Sequence, residues 1–210
     1  RTNVWGRQCY RLSEQDLKGK SFDGYGEDWP ISYKDLVPYY DLVEDYVGIS
    51  GQAENVPELP DSRIHPAMPM SCAETQLRTR VKSKLGWTVT IGRSANITKP
   101  LNGRGACHYC GPCERGCGTR SYFSSLNATL PAARATGRLT LRPHSVVASL
   151  IYDAGRRRAS GVRVIDASSF EALEFRSRLV FLCASALEST RILLNTRSSE
   201  YPGGLGSSSG

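Results

Sequence analysis

The stretch from Cys107 to Cys117, CHYCGPCERGC, holds four of the chain's seven cysteines at C-x2-C-x2-C-x3-C spacing. So many thiols in so short a loop leave the backbone two options. It must wrap several sulfurs around something, or it must bridge them. Gly111, Gly116 and Gly118 supply the positive φ that a curling loop requires, and Pro112 stiffens the turn between the second and third thiols.

Three readings stay open for these sulfurs. Bacterial ferredoxins hold iron-sulfur clusters with the same x2, x2, x3 run, which makes Cys107, Cys110, Cys113 and Cys117 the candidate ligands. Gly118 stands where that run has proline, and a single run does not complete a tetrathiolate. Either Cys117 folds back, or Cys9, Cys72 or Cys183 joins, or the cluster is of the 3Fe-4S rather than the 4Fe-4S type. Structural zinc normally draws two CxxC pairs from separate elements, so one continuous run suits it poorly. Disulfides are the third reading, limited by the strain of pairing such close neighbours. His108 reads as a polar loop residue, since the thiols already suffice as ligands.

At 210 residues the chain can bury a real core, as one large domain or two small ones. No run of eighteen apolar residues occurs, so no span of a membrane is expected. The net charge of +7 is carried by arginine, including Arg156, Arg157 and Arg158 after Asp153 and Gly155, the place of a solvated hairpin tip. Aromatic residues do not interleave with the basic ones, so nucleic acid is not expected as a partner. The opening RTNVWGRQ, without an initiator Met, and the closing GGLGSSSG read as the cut ends of a longer polypeptide.

Residues 1–30 read as loop. Ser32 followed by Asp35 forms a capping-box pattern, and Leu36, Val37, Tyr40, Val43, Tyr46 and Val47 recur at helical spacing up to Gly48, with Pro38 a candidate kink. A proline-rich connection comes next. A second helix is predicted over 73–85, with Leu77, Val81 and Leu85 on its inner side and Gly86 as its cap. Alternation predicts a strand over 87–91, and a helix is expected over 122–134.

Beyond Gly137 the texture changes to strand-like runs with short turns, which predicts an antiparallel meander. Leu179 to Cys183 reads as a strand buried on both faces, passing through Ala184, Ser185 and Ala186 into a helix over 187–194. Such a junction can seat a diphosphate at the helix N-terminus, although no G-x-G-x-x-G fingerprint is present.

These segments together resemble the glucose-methanol-choline family of flavin-dependent oxidoreductases. RTNVWGRQ looks like the segment just after the family's second glycine-rich flavin motif, and DWPISYKDLVPYYDLVEDYVGISG is similar to its DWP-ISY-DL-PYY-E helix. CGPCERGCGTRSYF, PAARATGRLTLRPHSVVASLIYD and FLCASALESTRILLNTRSSEYPGGLGSSSG resemble cysteine-bearing members, in the family's order over nearly the whole chain. The nearest likeness is to the bacterial sugar dehydrogenase branch, that of the glucoside 3-dehydrogenase catalytic subunits.

The resemblance implies an α/β fold with α+β character: part of a flavin-binding Rossmann-like domain with an antiparallel β-meander, plus a helical, loop-rich cap segment inserted on the substrate side. It divides the chain into a flavin-contacting loop over 1–30, a cap segment with the cysteines over 31–135, and part of the FAD-binding domain over 136–210. Thr2, Asn3, Val4 and Trp5 would lie along the flavin, Val146 or Val147 would meet the adenine, and Ala184, Ser185 and Glu188 would border the dinucleotide. The family's dinucleotide fingerprint and its catalytic histidine pair fall outside these residues, so none of the three histidines receives a catalytic role.

The implied enzyme oxidises a CH–OH group of a sugar or alcohol with FAD. Its electrons would pass through the iron-sulfur cluster to a cytochrome or small subunit, and export to the periplasm is favoured over a cytoplasmic location. One alternative is a flavoenzyme of the same family whose cysteines are structural or disulfide-bonded. An alternative of another class is a zinc-stapled binding module.

Overall fold

A computed structural model describes residues 4–206. Its contacts fall into two compact units, one up to Leu139 and one from Thr140. The first unit includes the opening residues and the cysteine loop.

The capping box at Ser32 does start a helix, α3 (Tyr33–Val47). The Asp35 carboxylate accepts from the Ser32 backbone N–H at 2.8 Å, and Gly48 ends the helix with φ 75°. Pro38 lies inside without breaking it. The buried face is not the tyrosine stripe: Val43 and Tyr46 are exposed, and Glu44 is the buried residue. A carboxylate is tolerated there because Arg11, itself buried, donates to it from Nε at 3.0 Å. Two short helices, α1 (Glu14–Leu17) and α2 (Gly19–Asp23), replace the loop expected before it. Ser13 and Asp16 form a capping box, and Leu17 enters the core.

The centre of this unit is knitted from short extended pieces. Ser94 exchanges two backbone hydrogen bonds with Ser50, at 2.8 and 2.9 Å, while Cys9 N–H donates to the Arg93 carbonyl and Ala95 N–H to that of Arg7. Phe123 N–H reaches the Ala95 carbonyl at 2.9 Å, so Ala95 and Ile97 are fully enclosed. Strand β1 (Ser50–Gly51) also pairs in parallel with β2 (His65–Pro66). The strand predicted over 87–91 is absent, because extended backbone becomes strand only where a neighbour pairs with it, and pairing begins near Arg93. Gly48 permits this packing: a Cβ there would collide with Ile97 Cγ2 and stand 2.7 Å from Leu101 Cδ2.

Helix α4 (Cys72–Leu85) has its cap at Ser71 and its left-handed Gly86, but buries none of its residues; Leu77 and Leu85 face outward. Helix α5 (Thr129–Ala135) is shorter than expected, since Tyr122 and Phe123 are drawn into extended pairing.

The second unit holds the meander, β3 (Ser145–Asp153), β4 (Arg158–Asp166) and β5 (Ala172–Arg176), in antiparallel order β3-β4-β5. The arginine run does lie at a hairpin tip, in the turn between β3 and β4. Helix α6 (Ala186–Leu194) packs on β3 through Ile192, and Thr196 Oγ1 accepts from Leu150 N–H at 2.9 Å. Leu179 to Cys183 is irregular, with Leu179 and Phe181 exposed: among the described residues no strand pairs with it, which corrects the two-sided buried strand.

Candidate functional site

The cysteine loop hangs from the centre of the first unit by paired stems. Cys107 N–H donates to the Ile97 carbonyl at 2.9 Å, and Gly105 N–H to the Thr119 carbonyl at 2.8 Å. Between the stems the chain turns through positive φ at Tyr109, Gly111 and Gly116, with one 3₁₀ turn over Cys113–Arg115. Gly118 does not adopt the positive φ expected of it, and Tyr109 does so instead. His108 is exposed, as a polar loop residue would be.

All seven cysteines are free thiols. The four of the loop influence one another, since burial and the neighbouring Cys107, Cys117 and Cys110 raise the Cys113 thiol above its ordinary value. Two of the sulfurs nonetheless have separate polar neighbours. Cys107 Sγ accepts from Tyr109 N–H at 3.3 Å and from Asn96 Nδ2 at 3.6 Å, whereas Cys117 Sγ lies against Ser121 Oγ at 3.3 Å and Thr119 Oγ1 at 3.4 Å. Among the described residues no three Cys, His, Asp or Glu side chains converge as a metal shell. The loop as placed therefore does not fit a cluster or a zinc ion at Cys107, Cys110, Cys113 and Cys117.

Cys117 is chemically distinct. Burial pushes its thiol up, but hydrogen bonds from Ser121, Thr119 and the Tyr122 backbone outweigh that and bring it down to about 7. Thr119 and Ser121 were legible as small polar residues just past the run, but their side-chain directions were not.

The residues expected against a dinucleotide fall in both units. Thr2 and Asn3 lie outside the described residues. Val4 is exposed, and Trp5 meets Phe123 edge-on at 6.4 Å between ring centroids, so both belong to the first unit. In the second unit, Val146 is exposed on β3 and pairs with Ile165, while its neighbour Val147 pairs with Val164.

Ala184 and Ser185 precede α6, and Ser185 has φ 79°, a left-handed value that strains a residue with a Cβ. Small residues and a left-handed turn thus lead into the α6 N-terminus, where backbone N–H groups and the helix dipole favour an anion.

One arginine ties the remaining candidates together. Arg191 donates from Nη2 to the Val147 carbonyl at 3.0 Å and from Nε to Glu188 at 2.9 Å. The i, i+3 spacing from Glu188 was visible in the sequence, but the reach to β3 was not.

A family model described as GMC oxidoreductase matches residues 26–198, which cover the cap helix, the cysteine loop, the meander and the α6 junction. The chain belongs to that family. A 2-methyl-1,2-propanediol dehydrogenase from Mycolicibacterium austroafricanum is 32% identical over 87% of the chain and 33% of its own length. The fructose dehydrogenase large subunit of Gluconobacter japonicus is 25% identical over 98% of the chain and 38% of its own length. The gluconate 2-dehydrogenase flavoprotein of Pantoea cypripedii is 26% identical over 84% and 32%, so the chain spans about a third of the length of these relatives. The N-terminal domain of that family is a flavin-binding, Rossmann-like fold. Among the described residues no helix is long and apolar enough to cross a membrane.

Proposed function

We propose that the protein containing these residues oxidises a CH–OH group of a sugar or related alcohol, using FAD. The observation that carries this reading is the family match running through the α6 junction, where Ser185, at φ 79°, leads into the helix N-terminus. In the proposal Ala184 and Ser185 receive the diphosphate, Val146 and Val147 present β3 to the adenine, and Arg191 fixes β3 and Glu188 in place. Thr2, Asn3, Val4 and Trp5 are proposed to lie along the isoalloxazine. FAD, when bound, supplies the hydride acceptor.

This chain's contribution is to hold and orient that acceptor and to form one wall of the substrate side. The residue that takes the hydroxyl proton is proposed to lie elsewhere in the polypeptide. The names of the relatives support alcohols and sugars as the substrate class, and the subunit naming of the fructose enzyme supports a partner subunit. A periplasmic location belongs to the same proposal, and fractionation of cells carrying the whole gene tests it. No electron step is assigned to the cysteine loop, because no three of its side chains converge as a metal shell among the described residues.

The deciding experiment is purification of the full-length protein and heat release of its bound nucleotide, with a dye-reduction assay on a panel of polyols and sugars. Released FAD and substrate-dependent bleaching of the dye are expected. A colourless protein with no nucleotide would remove the proposal.

A further inference from the structure

Four arginines of the first unit are buried: Arg7, Arg11, Arg93 and Arg104. A guanidinium keeps its charge in any protein environment, and burying it without partners costs several kcal/mol, on the order of the penalty of any desolvated ion. Three of the four are well provided for. Arg7 lies between the Trp5 and Tyr122 rings and donates to the Phe123 and Trp5 carbonyls. Arg11 is paired with Glu44 and Asp41, and Arg93 with Asp61 and the Pro60 carbonyl, so each has its charge answered even though Arg93 Nε has no acceptor.

Arg104 differs. It is 3% exposed, it donates from Nη2 to the Val47 carbonyl, its guanidinium rests over Phe123, and its Nη1 has no acceptor. No acidic side chain pairs with it among the described residues. Burial also pushes this guanidinium below its ordinary value, with Tyr46 opposing the shift.

The same side chain forms part of the wall of a cavity of about 370 Å³. Around it stand Arg120, Tyr46, Asn102 and Asn127, with the start of α5 closing one side. Among the described residues no Asp or Glu lines this space. Two arginine side chains, one deeply buried with a free Nη1 and one whose Nη2 donates to the Gly103 carbonyl at 3.0 Å, therefore line a volume large enough for a small organic molecule, together with Tyr46 and two asparagines. Guanidinium matches planar carboxylate in fork geometry, and carboxamides and phenol match hydroxyl groups.

We infer that this cavity receives a carboxylate, held by Arg104 and Arg120, with Asn102, Asn127 and Tyr46 positioned for hydroxyl groups beside it. The carboxylate has two sources of the same chemistry: a free hydroxy acid, or an Asp or Glu side chain from polypeptide outside these 210 residues. Neither source depends on flavin binding.

The test uses the full-length protein with tartrate as probe and threitol, its uncharged counterpart of equal carbon number, as control. For a free acid, calorimetric titration shows saturable tartrate binding, none with threitol, and at least tenfold weakening in Arg104→Met and in Arg120→Gln. For a side-chain source, tartrate gives no binding heat, and the melting midpoint lost in Arg104→Met is larger at pH 7 than at about pH 2, below the depressed value of a carboxylate held by two guanidinium groups. Should Arg104→Met fail to fold, Arg120→Gln carries both arms. The inference is overturned if tartrate does not bind and the loss in melting midpoint is the same at both pH values.

Discussion

Arg191 joins α6 to β3, donating to the Val147 carbonyl at 3.0 Å while its Nε holds Glu188 one helical turn back. Arg191→Met should release both contacts. With the pair about 38% exposed on each side, the loss is about 1 kcal/mol, or roughly fivefold in FAD affinity. Titrating FAD into the apo form of the full-length protein measures it, and equal affinity in both proteins would show that this bond does not position the site.

Arg11 and Glu44 form a buried pair extended by Asp41. Arg11→Met leaves the Glu44 carboxylate enclosed without a counter-ion, which should cost about 3–5 kcal/mol by urea unfolding. Adding Glu44→Met should recover part of that loss, because the stranded charge is then gone. The hydrogen bond from Arg11 holds the Asp41 carboxyl below its ordinary value of 3.8. The folded value is the depressed one, so this contribution is present above pH 3.8 and disappears as pH falls through the lower folded value. Arg11→Met should remove that acid-side dependence.

Cys117 should react with iodoacetamide along a pH profile centred near 7, below the ordinary thiol value of 9.0. Ser121→Ala, which deletes a partner 3.3 Å from the sulfur, should move the midpoint upward. Mass spectrometry of the alkylated peptide reads this in chelator-treated protein. Because the folded value is the lower one, the thiolate's stabilisation is complete above about pH 9 and is lost on descending through about pH 7.

Gly48→Ala should be among the most damaging small substitutions. It drives a methyl group into Ile97 Cγ2 and sets it 2.7 Å from Leu101 Cδ2, at φ 75°. Overpacking and the left-handed backbone together should cost about 2–5 kcal/mol, read from the denaturation midpoint.

Local signals in the sequence were sufficient where the physics is local. The Ser32 and Asp35 box, the Gly86 cap and the hairpin turns of the meander all act within a few residues, and each structure forms where the pattern lies. Features that need a distant partner were not legible. Trp87 to Ile91 alternates but finds no neighbour, and Leu179 to Cys183 is apolar but unpaired among the described residues. Glu44 was hidden because a charge on a helix reads as solvated until Arg11, 33 residues away, is seen to meet it. At the candidate site the cysteine spacing showed that the loop must curl. The surroundings of the Cys107 and Cys117 sulfurs depend on Asn96, Thr119 and Ser121, whose orientations no spacing encodes.

The stems of the cysteine loop are gripped at Ile97 and Thr119, while its tip, with Tyr109 61% exposed, stands in water. Trypsin should therefore cleave after Arg115 and leave the two halves bound to each other. Such a nicked protein would keep its fold with the tip severed, so whatever the tip does can be separated from whatever the body does.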